Sequence, residues 1–322
     1  MKVSNGIKIA MANKPLCYKT LFSRTLISMI ITATCFLVAK IIIDDVMQSV
    51  AFNDFVQFIR TFLRNFVALK DEANVNFASD LRYHIQTILS VVRSRLGEVL
   101  FIAIGILLLI QVAKFLTSLC DYVVAVNVNE HMSSLRHAKF FSTLAEHLKP
   151  ALAYATYCVI SLFLYNTLII TLSILLFVAF IHILGFFTVP LVITFILFAD
   201  AFRLMLVGMV PAKMVCEGCK VTTAFRSAFK GLKSRVMVER FISYFTMRIL
   251  HMVVTAVAGF FTFGVSVIIT MPLFSVSYIA VRFVDYYTVA IKKYYITFDN
   301  IVVPKELRTK GEQLLNQVDI DV

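Results

Sequence analysis

Between Lys149 and Asp200 the chain runs 49 residues, Ala151 to Ala199, without one Asp, Glu, Lys or Arg. As one helix this run would be about 74 Å long at 1.5 Å per residue, more than twice a hydrocarbon core of about 30 Å. It must fold back on itself, and Gly185 near its middle is the natural turn. In lipid every backbone polar group needs an internal partner, so the pattern predicts a hairpin of two membrane-spanning helices. Their expected extents are Ala151 to Leu184 and Phe186 to Met209.

The same pattern predicts four more spans. The first is Thr25 to Ile43, interrupted only by Lys40, and the second is Val99 to Val126, with Lys114 and Asp121 inside it. The last two come from Phe241 to Tyr287, which holds 33 uncharged residues from Ile249 to Val281, with the turn at Gly259 to Gly264. The first apolar run is too long for the core of a signal peptide and lacks a small-x-small cleavage site, so it reads as a retained span.

Between spans one and two, Phe55, Ile59, Phe62 and Phe66 recur at helical spacing, as do Leu81, Ile85, Leu89, Val92 and Leu96. Two amphipathic helices are expected there, broken near residues 70–74. They would lie on the membrane surface, cap the bundle or cover a cavity as a lid.

The ends of spans four and six match. Charged residues stand 10 and 13 positions after a proline in both: Asp200 and Arg203 after Pro190, Arg282 and Asp285 after Pro272. Span two shares the exit, with Asp121-Tyr122 beside Asp285-Tyr286. Each hairpin is preceded by a basic amphipathic stretch, Lys14 to Arg24, Arg136 to Lys149 and Val221 to Arg240. The expected fold is an all-α integral membrane protein of six transmembrane helices, arranged as three repeated hairpins with interfacial amphipathic helices. Residues 1–294 form the six-span domain, with 44–98 its extracytoplasmic helical segment, and 295–322 form a short cytoplasmic tail.

Charge then orients the spans. The chain carries a formal charge of +12, yet only 16% of its residues are charged. In a membrane protein such an excess gathers in cytoplasmic loops and meets anionic lipid, so no nucleic-acid partner is expected. The N-terminal segment has Lys2, Lys8, Lys14, Lys19 and Arg24 with no acid, and Arg203 to Arg248 holds nine basic residues against two acids. These blocks and the basic C-terminal part share one side in a six-span arrangement. Both termini are therefore expected in the cytoplasm, in the cell membrane, with the tail open to a protein partner. Trp is absent, so an aromatic belt must come from the 12 Tyr and 30 Phe.

The intramembrane charges are the candidate functional residues: Lys114, Asp121, Asp200, Arg203, Arg282 and Asp285. Asp200 with Arg203, and Arg282 with Asp285, are i,i+3 neighbours that can neutralise each other on one helix face. Lys114 sits deeper, with Asp121 two turns away; it either serves function or snorkels toward headgroups. Lys230, Lys233 and Arg235 are expected to face lipid headgroups. Cys216 and Cys219 form a CxxC, but one pair supplies only two of four zinc ligands, and completion would need His131, His137 or an oligomer partner. No metal or other cofactor is expected. No glycine phosphate loop, zincin helix, nucleophile elbow or carboxylate pair is visible.

The stretch from Val210 and Pro211 through Cys216-Glu217-Gly218-Cys219 to Ala224, Arg226, Ser227, Lys230 and Gly231 resembles a pattern in bacterial polytopic membrane proteins. These are the membrane domain of glycerophosphodiester phosphodiesterases and related families. Pro272-Leu273-Phe274 and Asp285-Tyr286-Tyr287 match the ending of that pattern, so the likeness covers about Thr188 to Tyr287. It implies a span, an apolar-Pro step, a Glu-Gly turn, a helix and a final hairpin. The chain has no soluble phosphodiesterase domain, so the resemblance carries over no catalytic activity. Two functions then stand: a non-enzymatic envelope or accessory component with lipid-facing basic helices, or a transporter or permease subunit for a small molecule or lipid.

Overall fold

The computed structural model describes residues 2–67, 77–136, 139–230, 234–304 and 307. Twelve helices and one two-stranded sheet occur among them. In chain order the helices are α1 (Lys2–Ala12), α2 (Lys14–Gln48), α3 (Val50–Val67), α4 (Phe77–Ser94), α5 (Leu96–Ser134) and α6 (Phe140–Glu146). They continue with α7 (Leu148–Leu184), α8 (Thr188–Val207), α9 (Val210–Glu217), α10 (Val221–Lys230), α11 (Ser234–Phe261) and α12 (Val267–Val289). Strands β1 (Tyr294–Thr297) and β2 (Asn300–Val302) follow, paired antiparallel with Tyr294 opposite Val302.

Six of these helical stretches are long and apolar enough to cross a membrane: Lys14–Lys40, Leu96–Ser134, Leu148–Leu184, Thr188–Glu217, Val236–Phe261 and Val267–Val289. The protein is an all-α multi-pass membrane protein. The hairpin turn falls where the charge-free run predicts it. Gly185 takes φ 52° and ψ −125°, a conformation essentially confined to glycine, and a single 3-10 turn carries the chain into α8. The last turn lies a few residues later than expected, with α11 ending at Phe261 and α12 starting at Val267.

The chain divides into two units, residues 27–113 and residues 1–26 with 114–322. In the first unit α3 and α4 form the expected amphipathic pair. Phe62 and Phe58 meet Phe77 at ring distances of 4.1 and 5.7 Å, and Phe55 and Phe58 meet His84 at 6.4 and 4.9 Å, so the two helices run antiparallel. Phe66 and the break near 70–74 lie outside what can be described of side chains and backbone there. Arg95 pairs with Asp45 and, at 3.5 Å, with Glu98.

In the second unit α12 is the central helix. Val276 to Val281 and Phe283 to Tyr287 are buried apart from the half-buried Arg282. Its neighbours include α1, which the pattern of apolar positions does not reveal. Ile9 and Ala10 are fully buried, and Gly6 is where the two helices touch. A Cβ on Gly6 would stand 3.1 Å from the Val281 backbone nitrogen and 3.3 Å from the Ser277 carbonyl oxygen. Backbone atoms cannot yield as a side-chain tip can, so only glycine admits this approach.

The short sheet also packs on this core. Tyr294 and Ile296 are buried, Asn5 donates from Nδ2 to the Tyr294 hydroxyl at 2.9 Å, and His131 donates from Nε2 to the Ile296 carbonyl at 3.1 Å. The expected boundary between membrane domain and tail, at 294/295, thus falls inside a packed hairpin. Most of the remaining tail, 305–322, lies outside the described residues.

The three basic stretches expected as interfacial helices differ in structure. Lys14 to Arg24 is the first part of continuous α2, Phe140–Glu146 forms the short α6, and Val221 to Arg240 is divided between α10 and α11. The apolar face of α10 meets protein: Ala224 and Ala228 are buried against Tyr122, Val126, Ala151 and Met214. The side chains of Lys230, Lys233 and Arg235 lie outside the described ones.

Candidate functional site

Helices α2, α5, α7, α8, α10, α11 and α12, with the start of α9, converge on a cavity of about 480 Å³. Along α7 its wall runs from Tyr154 to Tyr165, about 9 to 26 Å from the helix start at 1.5 Å per residue. Four arginines line it, Arg24, Arg203, Arg248 and Arg282, together with Asp121, His251 and Tyr278. The remaining wall is largely apolar, with Leu162, Leu206, Val207, Phe225, Met271 and Ile279.

Each arginine is held differently. Arg24 donates to Asp121 at 2.5 Å and to the Ser275 hydroxyl. Arg203 donates to Asp200 at 2.5 Å, and its guanidinium lies 5.7 Å from the Tyr165 ring centre. Arg248 pairs with the other oxygen of Asp200 and sits 4.5 Å over the Tyr278 ring. Arg282 makes one long hydrogen bond, to the Tyr154 hydroxyl at 3.4 Å, and no ion pair among the described residues.

The expected Arg282–Asp285 pair therefore does not form. Partners on other helices decide the difference: Arg282 turns to the Tyr154 hydroxyl at the cavity, and Asp285 to Arg240 of α11 and Lys2 of α1. Asp285 lies 2.6 Å from Arg240 Nε and accepts from Lys2 Nζ at 2.7 Å. Arg240 and Asp285 are both 2% exposed. The matching pair at the end of α8, Asp200 with Arg203, does form as expected and recruits Arg248 in addition.

The charge count at the cavity does not close. Four guanidinium groups face two carboxylates, Asp121 and Asp200, an excess of two positive charges. The Nε groups of Arg24, Arg203, Arg248 and Arg282 and the hydroxyl of Tyr157 are buried without a hydrogen-bond partner among the described residues. Arginine does not lose its proton in proteins, so the charge cannot be relieved by titration. Uncompensated ionised groups at membrane depth are costly and mark ligand or ion sites.

Of the sequence candidates, the cavity brings together Asp121, Arg203 and Arg282, with Asp200 behind Arg203. Lys114 is half-buried one turn before Ser118 and does not line it. Asp285 belongs to the separate buried cluster. Arg24 and Arg248 were not among the candidates. Both stand at the edge of an apolar run, where a basic residue ordinarily reads as a headgroup contact, and only their place beside the aspartates Asp121 and Asp200 signals more.

Cys216 and Cys219 are free thiols with separate partners. Cys216 Sγ donates to Asn129 Oδ1 at 3.1 Å, an oxygen that also accepts from the Tyr287 hydroxyl at 3.0 Å. Cys219 Sγ donates to the Lys213 carbonyl at 3.6 Å, and burial, with Glu217 beside it, pushes its thiol pKa up. Among the described residues no three His, Cys, Asp or Glu side chains converge as metal ligands would. Comparison with protein-family models, curated proteins and solved structures returns no match.

Proposed function

We propose that the protein is a non-enzymatic multi-pass protein of the cell membrane that binds an organic anion in the arginine-lined cavity and takes part in moving it. The observation that carries this is the excess of two positive charges around a space of about 480 Å³, with buried guanidinium donors directed at no protein acceptor among the described residues. An anion there would satisfy both charge and hydrogen bonding, and the apolar part of the wall would accommodate its non-polar portion. This favours the transporter or permease function over the accessory one, since an accessory role has no use for such a cavity. Guanidinium groups hold charge but do not shuttle protons, which suits binding rather than acid–base catalysis.

In this reading both termini are cytoplasmic, because the basic blocks at 2–24 and 203–248 then share the cytoplasmic side. Exposed Lys220 and Arg226 on and before α10 add attraction to anionic lipid there, about 1 kcal/mol for each charge near the surface. The test is chemical. Protein purified in mild detergent is extracted and its bound small molecules are identified by mass spectrometry. Wild type should release an organic anion that Arg282→Gln protein lacks. Equal recovery from both, or from neither, would overturn the reading.

A further inference from the structure

We infer that the anion is an acyl phospholipid, its phosphate held at Arg203, Arg248 and Arg282 and one acyl chain laid along the groove between α7 and α8. This rests on the reading of the cavity as an anion site. The groove is a second space, of about 460 Å³, lined by residues of α7 from Asn166 to Phe177 and by Val192 and Ile196 of α8.

The groove follows the cavity along the same two helices. On α7, Cys158, Leu162 and Tyr165 line the cavity, and Ile169, Ser173 and Phe177 continue that stripe at steps of four. On α8, Val192 and Ile196 lie four apart in the groove, and Arg203 and Val207 follow in the cavity at seven and eleven from Ile196. On α8 one face serves both spaces, and on α7 the row of positions four apart, which winds about 40° around the helix with each step, leads from one space to the other. The hydrogen bond from the Tyr165 hydroxyl to the Ala199 carbonyl ties the two helices together at the junction.

Polarity changes along this path as an amphiphile requires. The cavity carries the guanidinium groups, and the groove is apolar apart from Asn166 at the junction and the small Ser173 that forms its floor. From Asn166 to Phe177 the groove extends about 16 Å along the helix axis. Its rims, Ile170 and Ile174, are 58% and 57% exposed on a helix long enough to span the membrane. The medium at such a surface is acyl chain, so a chain is the occupant that can reach it. A soluble organic anion would use the arginines and leave the groove unused. Phosphate is the headgroup chemistry because its oxygens match the planar guanidinium fork.

The experiment is native mass spectrometry of the full chain in detergent, titrated with dioleoyl phosphatidylglycerol and with the short-chain dihexanoyl form. Wild type should prefer the long-chain lipid. Ser173→Phe, which fills the groove floor, should weaken long-chain binding about tenfold and leave short-chain binding unchanged. Ile196→Phe, on the opposite wall, repeats the test if Ser173→Phe fails to fold. Arg282→Gln should weaken both lipids. Unchanged long-chain binding in the folded groove variants would overturn the chain placement and leave the anion site standing. Unchanged binding of both lipids in Arg282→Gln would remove the anion site itself.

Discussion

Replacing Asp285 by Asn tests how this membrane domain handles its most buried charge. Asp285 and Arg240 are each 2% exposed, and their closest atoms lie 2.6 Å apart. Lys2, 15% exposed in its side chain, reaches the second carboxylate oxygen at 2.7 Å. Neutralising Asp285 leaves Arg240 buried without its counter-charge, and breaking one side of such a pair costs about 3–5 kcal/mol. Removing both partners, as Asp285→Asn with Arg240→Met, should be much milder, because Lys2 can turn to Glu239, 3.8 Å away, and no unpaired buried charge is left. The double-mutant cycle should give a coupling of about 2 kcal/mol. The assay is SDS titration of the purified protein, with unfolding followed by a thiol-reactive dye at the six cysteines, all part-buried when folded. A parallel cycle of Asp285→Asn with Arg282→Gln should show a smaller coupling. If the double variant with Arg240 is as unstable as the two singles summed, the pairing is wrong.

Gly6→Val should cost about 1–3 kcal/mol by overpacking α1 against α12, and limited proteolysis should then cut within the first twelve residues; an unchanged digest would refute the tight contact. Tyr165→Phe removes the bond to Ala199 and should destabilise by about 1 kcal/mol in the same SDS titration, with no loss expected if α7 and α8 are held elsewhere. In a background without native cysteines, Asn53→Cys should react with an impermeant reagent from outside intact cells and Arg226→Cys should not. Outside labelling at position 226 would reverse the proposed orientation.

Much of this fold was legible in the sequence because lipid imposes a simple rule on charge. The run from Ala151 to Ala199 could only be a hairpin, and its turn is at Gly185 as read. The helices α3 and α4 announced themselves through large apolar residues at helical spacing, phenylalanine and isoleucine in α3 and leucine, isoleucine and valine in α4. By contrast α1 was hidden, since its burial depends on the close approach at Gly6 rather than on a run of large apolar residues. The sheet of β1 and β2 was too short to leave a period. At the site, helical spacing fixed which charges could pair but not which did. Asp200 and Arg203 followed local geometry, while Arg282 and Asp285 were drawn to partners more than forty residues away in the chain. Arg24 and Arg248 entered the site only through tertiary contacts with Asp121 and Asp200, which no local pattern encodes.

The central claim is that the arginine cavity binds an anion, and thermal melting in detergent tests it most directly. Ligand that binds only the folded state stabilises it by about 2.7 kcal/mol at one hundred times its dissociation constant. Phosphatidylglycerol should raise the melting temperature of the wild type more than dioleoylglycerol, which carries the chains without a phosphate, and Arg282→Gln should erase the difference between them. Equal stabilisation by the two lipids in the wild type, or a difference that survives Arg282→Gln, would contradict the account.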